Sequence, residues 1–192
     1  MGKPKNKHIF CIEGNWDPDL SVKSTVRPML ELLDATEGVK FVHRDASTPE
    51  EFEFLVRKWR QKSYTAYRIL YLAFHGCEGR LSIYGSKDMS LEDLAELLRR
   101  RCYGRVIYLG ACSVLKLGRA DIRSFLERTG AQAVCGYATD VDWTASTALD
   151  LLVMGTLQER SFDRAGLLKA KAEVHRDAGR LVRKLGFRMV VR

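Results

Sequence analysis

Two apolar runs, each cut off by a reactive side chain beside a glycine, constrain this chain more than any other feature. The first, Ile69-Leu70-Tyr71-Leu72-Ala73-Phe74, ends in His75-Gly76. The second, Val106-Ile107-Tyr108-Leu109, ends in Gly110-Ala111-Cys112-Ser113. Continuous apolar runs of this length are the mark of parallel strands covered on both faces. Parallel neighbours need a long crossover link, and 112 − 75 = 37 positions separate the two reactive residues. Ligands of open α/β sheets bind beyond the carboxyl ends of the strands. If the two strands are neighbours, His75 and Cys112 therefore face one crevice.

A thiol acts as a nucleophile mainly in its thiolate form, and a nearby imidazole can take the proton, so a Cys/His pair is a workable acyl-transfer centre. Gly76 lets its backbone N–H come close to a substrate carbonyl. The N–H of Cys112 is the second candidate donor to an oxyanion. Taken singly, Cys112 reads as a small buried hydrophobe and His75 as a hydrogen-bonded turn residue. Two strand ends, two reactive residues and two glycines together favour the catalytic reading.

The segments Phe74-His75-Gly76 and Gly110-Ala111-Cys112-Ser113 resemble the signatures of caspase-like (clan CD) cysteine peptidases, a group that includes caspases, metacaspases, clostripain, separase and bacterial CHAT peptidases. The order of elements is similar over nearly the whole chain, and the nearest resemblance is to short, stand-alone CHAT-like bacterial proteins of undefined function. The resemblance implies a three-layer α/β sandwich with a mostly parallel central sheet and a His75/Cys112 dyad, with Gly76 and Cys112 supplying the oxyanion hole. It also implies a protein or peptide substrate, no cofactor, and a regulatory partner within a stress, cell-death or antiphage circuit. Position 110 departs from the caspases, which carry Gln or Glu there, so aspartate specificity does not carry over.

At 192 residues, a single α/β domain over 1–192 is expected, with a basic, flexible start at 1–7. Apolar residues make up 46% and charged residues 29%, the balance of a soluble globular chain. No apolar run approaches the roughly 20 residues of a membrane span. The apolar stretch from His8 to Ile12 is too short for a signal peptide, and Asn6 stands where the myristoylation motif needs Ser or Thr. Five cysteines without paired spacing point to a reducing cytoplasm, with Cys11 and Cys135 in apolar runs as core residues and Cys77 as a bystander thiol. No CxxC or HxxxH cluster offers a metal site. The net charge of +8 suits a basic surface, an acidic partner or nucleic acid. Neither phosphate-loop pattern occurs at a strand end, and no aromatic interleaving accompanies the Lys and Arg, which disfavours nucleic acid.

In chain order, His8–Ile12 is the first expected strand. It leads into Glu13-Gly14-Asn15-Trp16-Asp17-Pro18, where Trp16 is a candidate pocket wall and Glu13 or Asp17 a candidate partner for a basic substrate residue. The alternative there is a plain turn with an Asp-Pro stop. A helix is expected over 21–36, starting nearer Val26 if Pro28 interrupts it, with Gly38 as its stop. Val39–His43 is the second strand, and His43, lacking a following glycine, reads as structural. Thr48-Pro49-Glu50-Glu51 opens a helix running to about Lys62. A ribbon is expected over 81–85 beside the main sheet, then a helix from Ser90 to the Arg99-Arg100-Arg101 triplet. Residues 113–118 read as a mobile loop, 120–128 as a helix and 131–137 as the fifth strand.

That strand delivers Asp140, Asp142 and Trp143 to the crevice. Related peptidases build the S1 pocket partly from this region, and Asp142 with Trp143 suits a Lys or Arg side chain by charge and stacking. Equally, Asp142 or Thr144 caps the next helix. Helices over 144–158 and 165–185 follow, His175 lying on a solvated face of the second, and Phe187–Val191 is an edge strand. The competing functional readings are a catalytically silent caspase-like interaction module and, less favoured, a basic nucleic-acid-binding domain.

Overall fold

The computed structural model describes residues 7–19, 21, 22, 24–83 and 88–192. The start over 1–6, and Tyr84 and Gly85 of the expected ribbon, lie outside the described residues, while Lys7, expected in the flexible start, is buried and donates to Gln158 through its N–H and its Nζ, each at 2.8 Å. The main sheet has six strands: β1 (Ile9–Glu13), β2 (Phe41–Asp45), β3 (Ile69–Ala73), β7 (Val106–Gly110), β8 (Ala133–Tyr137) and β9 (Phe187–Val191). Their order is β2-β1-β3-β7-β8-β9. All neighbours are parallel except β9, which runs antiparallel to β8. Ala73 lies opposite Gly110, so the strands that carry His75 and Cys112 are adjacent and finish level.

Alternation along the strands divides the core into two layers. Ile9, Cys11, Tyr71, Tyr108 and Cys135 pack against α1 (Arg27–Glu37), α5 (Trp143–Gln158) and α6 (Arg164–Lys184). Phe10, Ile12, Leu70, Leu72, Ile107 and Leu109 pack against α2 (Pro49–Trp59), α3 (Leu91–Leu97) and α4 (Arg119–Thr129). The result is an α/β arrangement with helices on both sides of a mostly parallel sheet. No helix among the described residues is long and apolar enough to cross a membrane.

Local chemistry sets the helix ends. Thr48 and Glu51 form a reciprocal capping box at α2, and the apolar face of that helix ends in the fully buried Trp59, whose indole donates to the Tyr67 carbonyl at 2.8 Å. α1 begins at Arg27 rather than Ser21, because proline is accommodated only in the first turn. It ends at Gly38, whose φ of 65° is left-handed. α3 stops at Leu97, short of the arginine triplet. Arg100 takes a φ of 50° and gives its N–H to the Arg128 carbonyl, so the triplet belongs to the turn after the helix. The antiparallel ribbon expected beside the main sheet is there as a separate sheet of β4 (His75–Cys77), β5 (Arg80–Ser82) and β6 (Met89–Ser90). His75 and Gly76 are part of that sheet.

One buried carboxylate ties these elements together. Asp150 on α5 is 3% exposed and accepts hydrogen bonds from three phenols. Tyr71 of β3 donates at 2.8 Å, and Tyr108 of β7 and Tyr137 of β8 donate to the other oxygen. Three adjacent strands are thus bonded to one point on the covering helix. Burial lifts the Asp150 carboxyl from an ordinary 3.8 to about 6, with the three phenols opposing the rise. The phenols are themselves pushed upward, by burial first and then by the nearby carboxylate.

A group whose pKa is higher in the folded than in the unfolded chain adds stability below the unfolded value and loses it as pH rises through the folded value. For Asp150 that window runs from about pH 4 to about pH 6 and spans about 3 kcal/mol. The stability of wild type minus that of Asp150→Asn, measured by urea unfolding, should fall by an amount of that order as pH rises through the window. A difference independent of pH would show that the carboxyl does not titrate there.

Candidate active site

The carboxyl end of β3 runs straight into the β4–β5 hairpin. Cys77 and Arg80 close its two-residue loop, in which Gly79 adopts a φ of 70°. Antiparallel pairs alternate between bonded and non-bonded. The closing Cys77–Arg80 pair is bonded, so Gly76 opposite Leu81 is not, and its N–H and C=O turn away from β5. A Cβ on Gly76 would lie 2.5 Å from Val114 Cγ2 and 2.9 Å from the Cys112 carbonyl oxygen. The histidine hairpin and the cysteine loop therefore touch at a point where only glycine fits.

The cysteine loop leaves β7 at Gly110. A Cβ there would lie 2.5 Å from the Tyr71 ring, because the phenol crosses this position on its way to Asp150. Gln or Glu at position 110 is sterically incompatible with that crossing. Ser113 is left-handed, with a φ of 56°. Its N–H donates to the Thr139 carbonyl at 3.0 Å and its Oγ to Asp140 at 2.8 Å. Leu115 N–H donates to the Tyr137 carbonyl, and the Arg188 guanidinium donates to the carbonyls of Leu115 and Leu117, each at 2.8 Å. The segment 113–118, read from sequence as a mobile loop, is thus tied to β8, to the turn after it and to β9. Cys112 is half-buried, and its Sγ accepts from the Val141 N–H at 3.4 Å.

His75 is exposed, and its Nε2 lies 2.8 Å from the Trp16 carbonyl. A carbonyl only accepts, so Nε2 carries the proton and a neutral His75 presents Nδ1 as its basic nitrogen. The Trp16 ring also packs edge-on to His75, with centroids 5.2 Å apart. Trp16 is held in turn by its indole N–H, which donates to Glu13 at 2.5 Å. Glu13 is 2% exposed and also accepts from Thr25, the Val26 N–H and His43. Burial works to raise its pKa, but the bonds from His43, Thr25, Trp16 and Val26 outweigh it and hold the carboxyl below the ordinary 4.5.

His75 and Cys112 line a single pocket of about 130 Å³. Trp16 and Trp143 line it too, with rings edge-to-face at 4.7 Å, as do Val141 and Asp150. No direct hydrogen bond joins His75 to Cys112; His75 is bonded to Trp16 in the loop after β1 and Cys112 to Val141 in the loop after β8. The other residues singled out from sequence lie off this pocket. Asp142 caps α5 by accepting from the Ala145 N–H at 2.9 Å, which is the alternative weighed for it. Asp140 accepts from Ser113. Glu13 is fully engaged, and Asp17 accepts from the Asp19 N–H in a turn. Glu13 and Asp17 line a separate groove of about 340 Å³ together with His43 and Asp45.

Glu13, His43 and Asp45 hold one ligand atom each within 4.8 Å of one another, the one such set among the described residues. Because Glu13 already accepts from four donors, a cation there would have to displace existing bonds.

The residue that sequence reasoning missed is Asp150, the one carboxylate on the wall of the His75/Cys112 pocket. Its signal was an acid inside the apolar stretch Ala148-Leu149-Asp150-Leu151-Leu152, combined with a tyrosine in each of three strands.

Comparison with curated proteins gives no match. A model of a family of unknown function, DUF6642, matches residues 6–191. With nearly its whole length matched, the chain belongs to the DUF6642 family.

Proposed function

We propose that the chain is a cysteine peptidase in which Cys112 and His75 form the reacting pair. The observation that carries this reading is their position in one small pocket at the level ends of adjacent parallel strands, with His75 Nε2 committed to a carbonyl and Nδ1 left as the base. Nδ1 takes the Cys112 proton, and Sγ attacks the scissile carbonyl carbon. The oxyanion is held by the N–H groups of Gly76 and Cys112. Collapse expels the amine, protonated by His75, and leaves a thioester. Water, deprotonated by Nδ1, then attacks the thioester and releases the acid and the free thiol. The missing Cys–His hydrogen bond is compatible with this sequence, since catalytic hydrogen bonds in free enzymes are often long and tighten with substrate.

The pocket admits one side chain. Its walls are aromatic and its one carboxylate is Asp150, so the basic preference first attached to Asp142 moves to Asp150. Three of the roughly four acceptor positions of that carboxylate are filled by phenols, leaving one for an incoming ammonium or guanidinium. A cytoplasmic setting is supported by the five free cysteines, and a role in a bacterial stress or antiphage circuit by the family resemblance. A second reading, a silent module that binds without turnover, draws on the separate engagement of His75 with Trp16 and of Cys112 with Val141.

Incubation of wild type with a peptide library, beside Cys112→Ala and His75→Ala, separates the two readings. Cleavage and labelling by an acyl-type electrophile are expected in wild type and in neither variant. Folded wild type that neither cleaves nor labels at Cys112 supports the silent module. Gly76→Ala presses a methyl into the cysteine loop. It should lower kcat/KM by about a hundredfold and stability by about 1–3 kcal/mol. Gly155→Ala on α5 is the control: a Cβ there meets nothing within 4 Å, so activity should be unchanged and stability altered by no more than about 1 kcal/mol.

A further inference from the structure

The edge of the main sheet at β9 offers a second binding surface, independent of the dyad. Gly186 accepts from the Ala138 N–H and Arg192 N–H donates to Gln132, each at 2.9 Å. Bonded positions alternate along an antiparallel pair. Arg188 and Val190 therefore face β8, and Phe187, Met189 and Val191 turn their N–H and C=O groups outward. This row of unpaired backbone groups lies along a groove of about 870 Å³ walled by α4 on one side and α6 on the other.

The groove is strongly cationic. Arg119, Arg123, Arg164, Lys171, Arg188 and Arg192 line it, against the single carboxylate of Glu127. Among the described residues, Arg119, Arg123 and Lys171 make no ion pair. Outward backbone groups in register with a cationic wall match an extended chain that has its own N–H and C=O groups and carries acids. They match a phosphate backbone less well, since it offers no donors to the strand. A second copy of this chain is also a poor occupant. Two-fold pairing of β9 with itself would bring the arginines of both copies together.

We propose that β9 is a docking edge for an acidic, extended segment of a partner protein, which adds a seventh strand beside β9 between α4 and α6.

The probe is a short fluorescein-labelled peptide alternating glutamate and valine, titrated against the full chain by fluorescence anisotropy at low and moderate salt. Saturable binding that weakens with salt is expected, and the matching lysine–valine peptide should not bind. Arg123→Glu with Lys171→Glu should weaken binding by about tenfold or more. Val191→Pro removes an outward N–H while sparing the bonds to β8, and should abolish binding with the thermal transition retained. Met189→Pro tests the same loss one pair further along the strand. Three outcomes overturn the proposal. One is the absence of binding to folded wild type. Another is binding of single-stranded oligodeoxythymidine that equals peptide binding and ignores Val191→Pro, which would make the groove a polyanion surface. The last is a concentration-dependent dimer abolished by Val191→Pro, which would make β9 an interface between copies.

Discussion

A buried carboxylate at a fixed point on α5 organises the centre of this molecule. Desolvating Asp150 carries a cost of several kcal/mol unless the charge is met by donors, and three phenols meet it. The consequences spread outward. Each of β3, β7 and β8 must place a tyrosine on the same face and at the right height. The Tyr71 ring must pass over position 110, which excludes any side chain there. The glycine that opens the cysteine loop thus follows from the way the acid is satisfied. The same carboxylate is also the one carboxylate on the wall of the His75/Cys112 pocket, so the core and the pocket share one side chain.

His75 and Cys112 are positioned by hydrogen bonds from both side chains and backbone. A run of hydrogen bonds leads from His43 on β2 to Glu13, from Glu13 to the Trp16 indole, and from the Trp16 carbonyl to His75. The cysteine loop is fixed by bonds to Tyr137, Thr139, Asp140 and Arg188. The two assemblies meet at Gly76 with no space to spare.

Much of the architecture was legible in the sequence because apolar period and punctuation report it directly. The runs ending at His75 and Cys112 gave two buried parallel strands, Thr48-Pro49-Glu50-Glu51 gave a helix start, and Phe187–Val191 gave the edge strand at both of its ends. Trp16 and Trp143 were recognised because large aromatics in loops at strand ends have few other uses. The acids stayed ambiguous for a physical reason. Asp142 looks the same whether it meets a substrate or caps a helix, and the backbone N–H of Ala145 decided it. Glu13 could not be matched with His43 without knowing that β1 and β2 are neighbours. Asp150 stayed hidden because its partners come from three strands, the most distant 79 positions away. No local pattern encodes a contact at that separation.

Arg188 adds a temporal consequence. Its guanidinium supplies donors to two carbonyls of the loop that follows Cys112, from a position 73 residues later in the sequence. A polypeptide growing from its amino end acquires the thiol, the imidazole and the parallel core well before it acquires the strand that completes the loop's hydrogen bonding. Until β9 has docked against β8, the segment beside Cys112 lacks its far anchor, so the loop gains its full set of hydrogen bonds only once the last strand is in place.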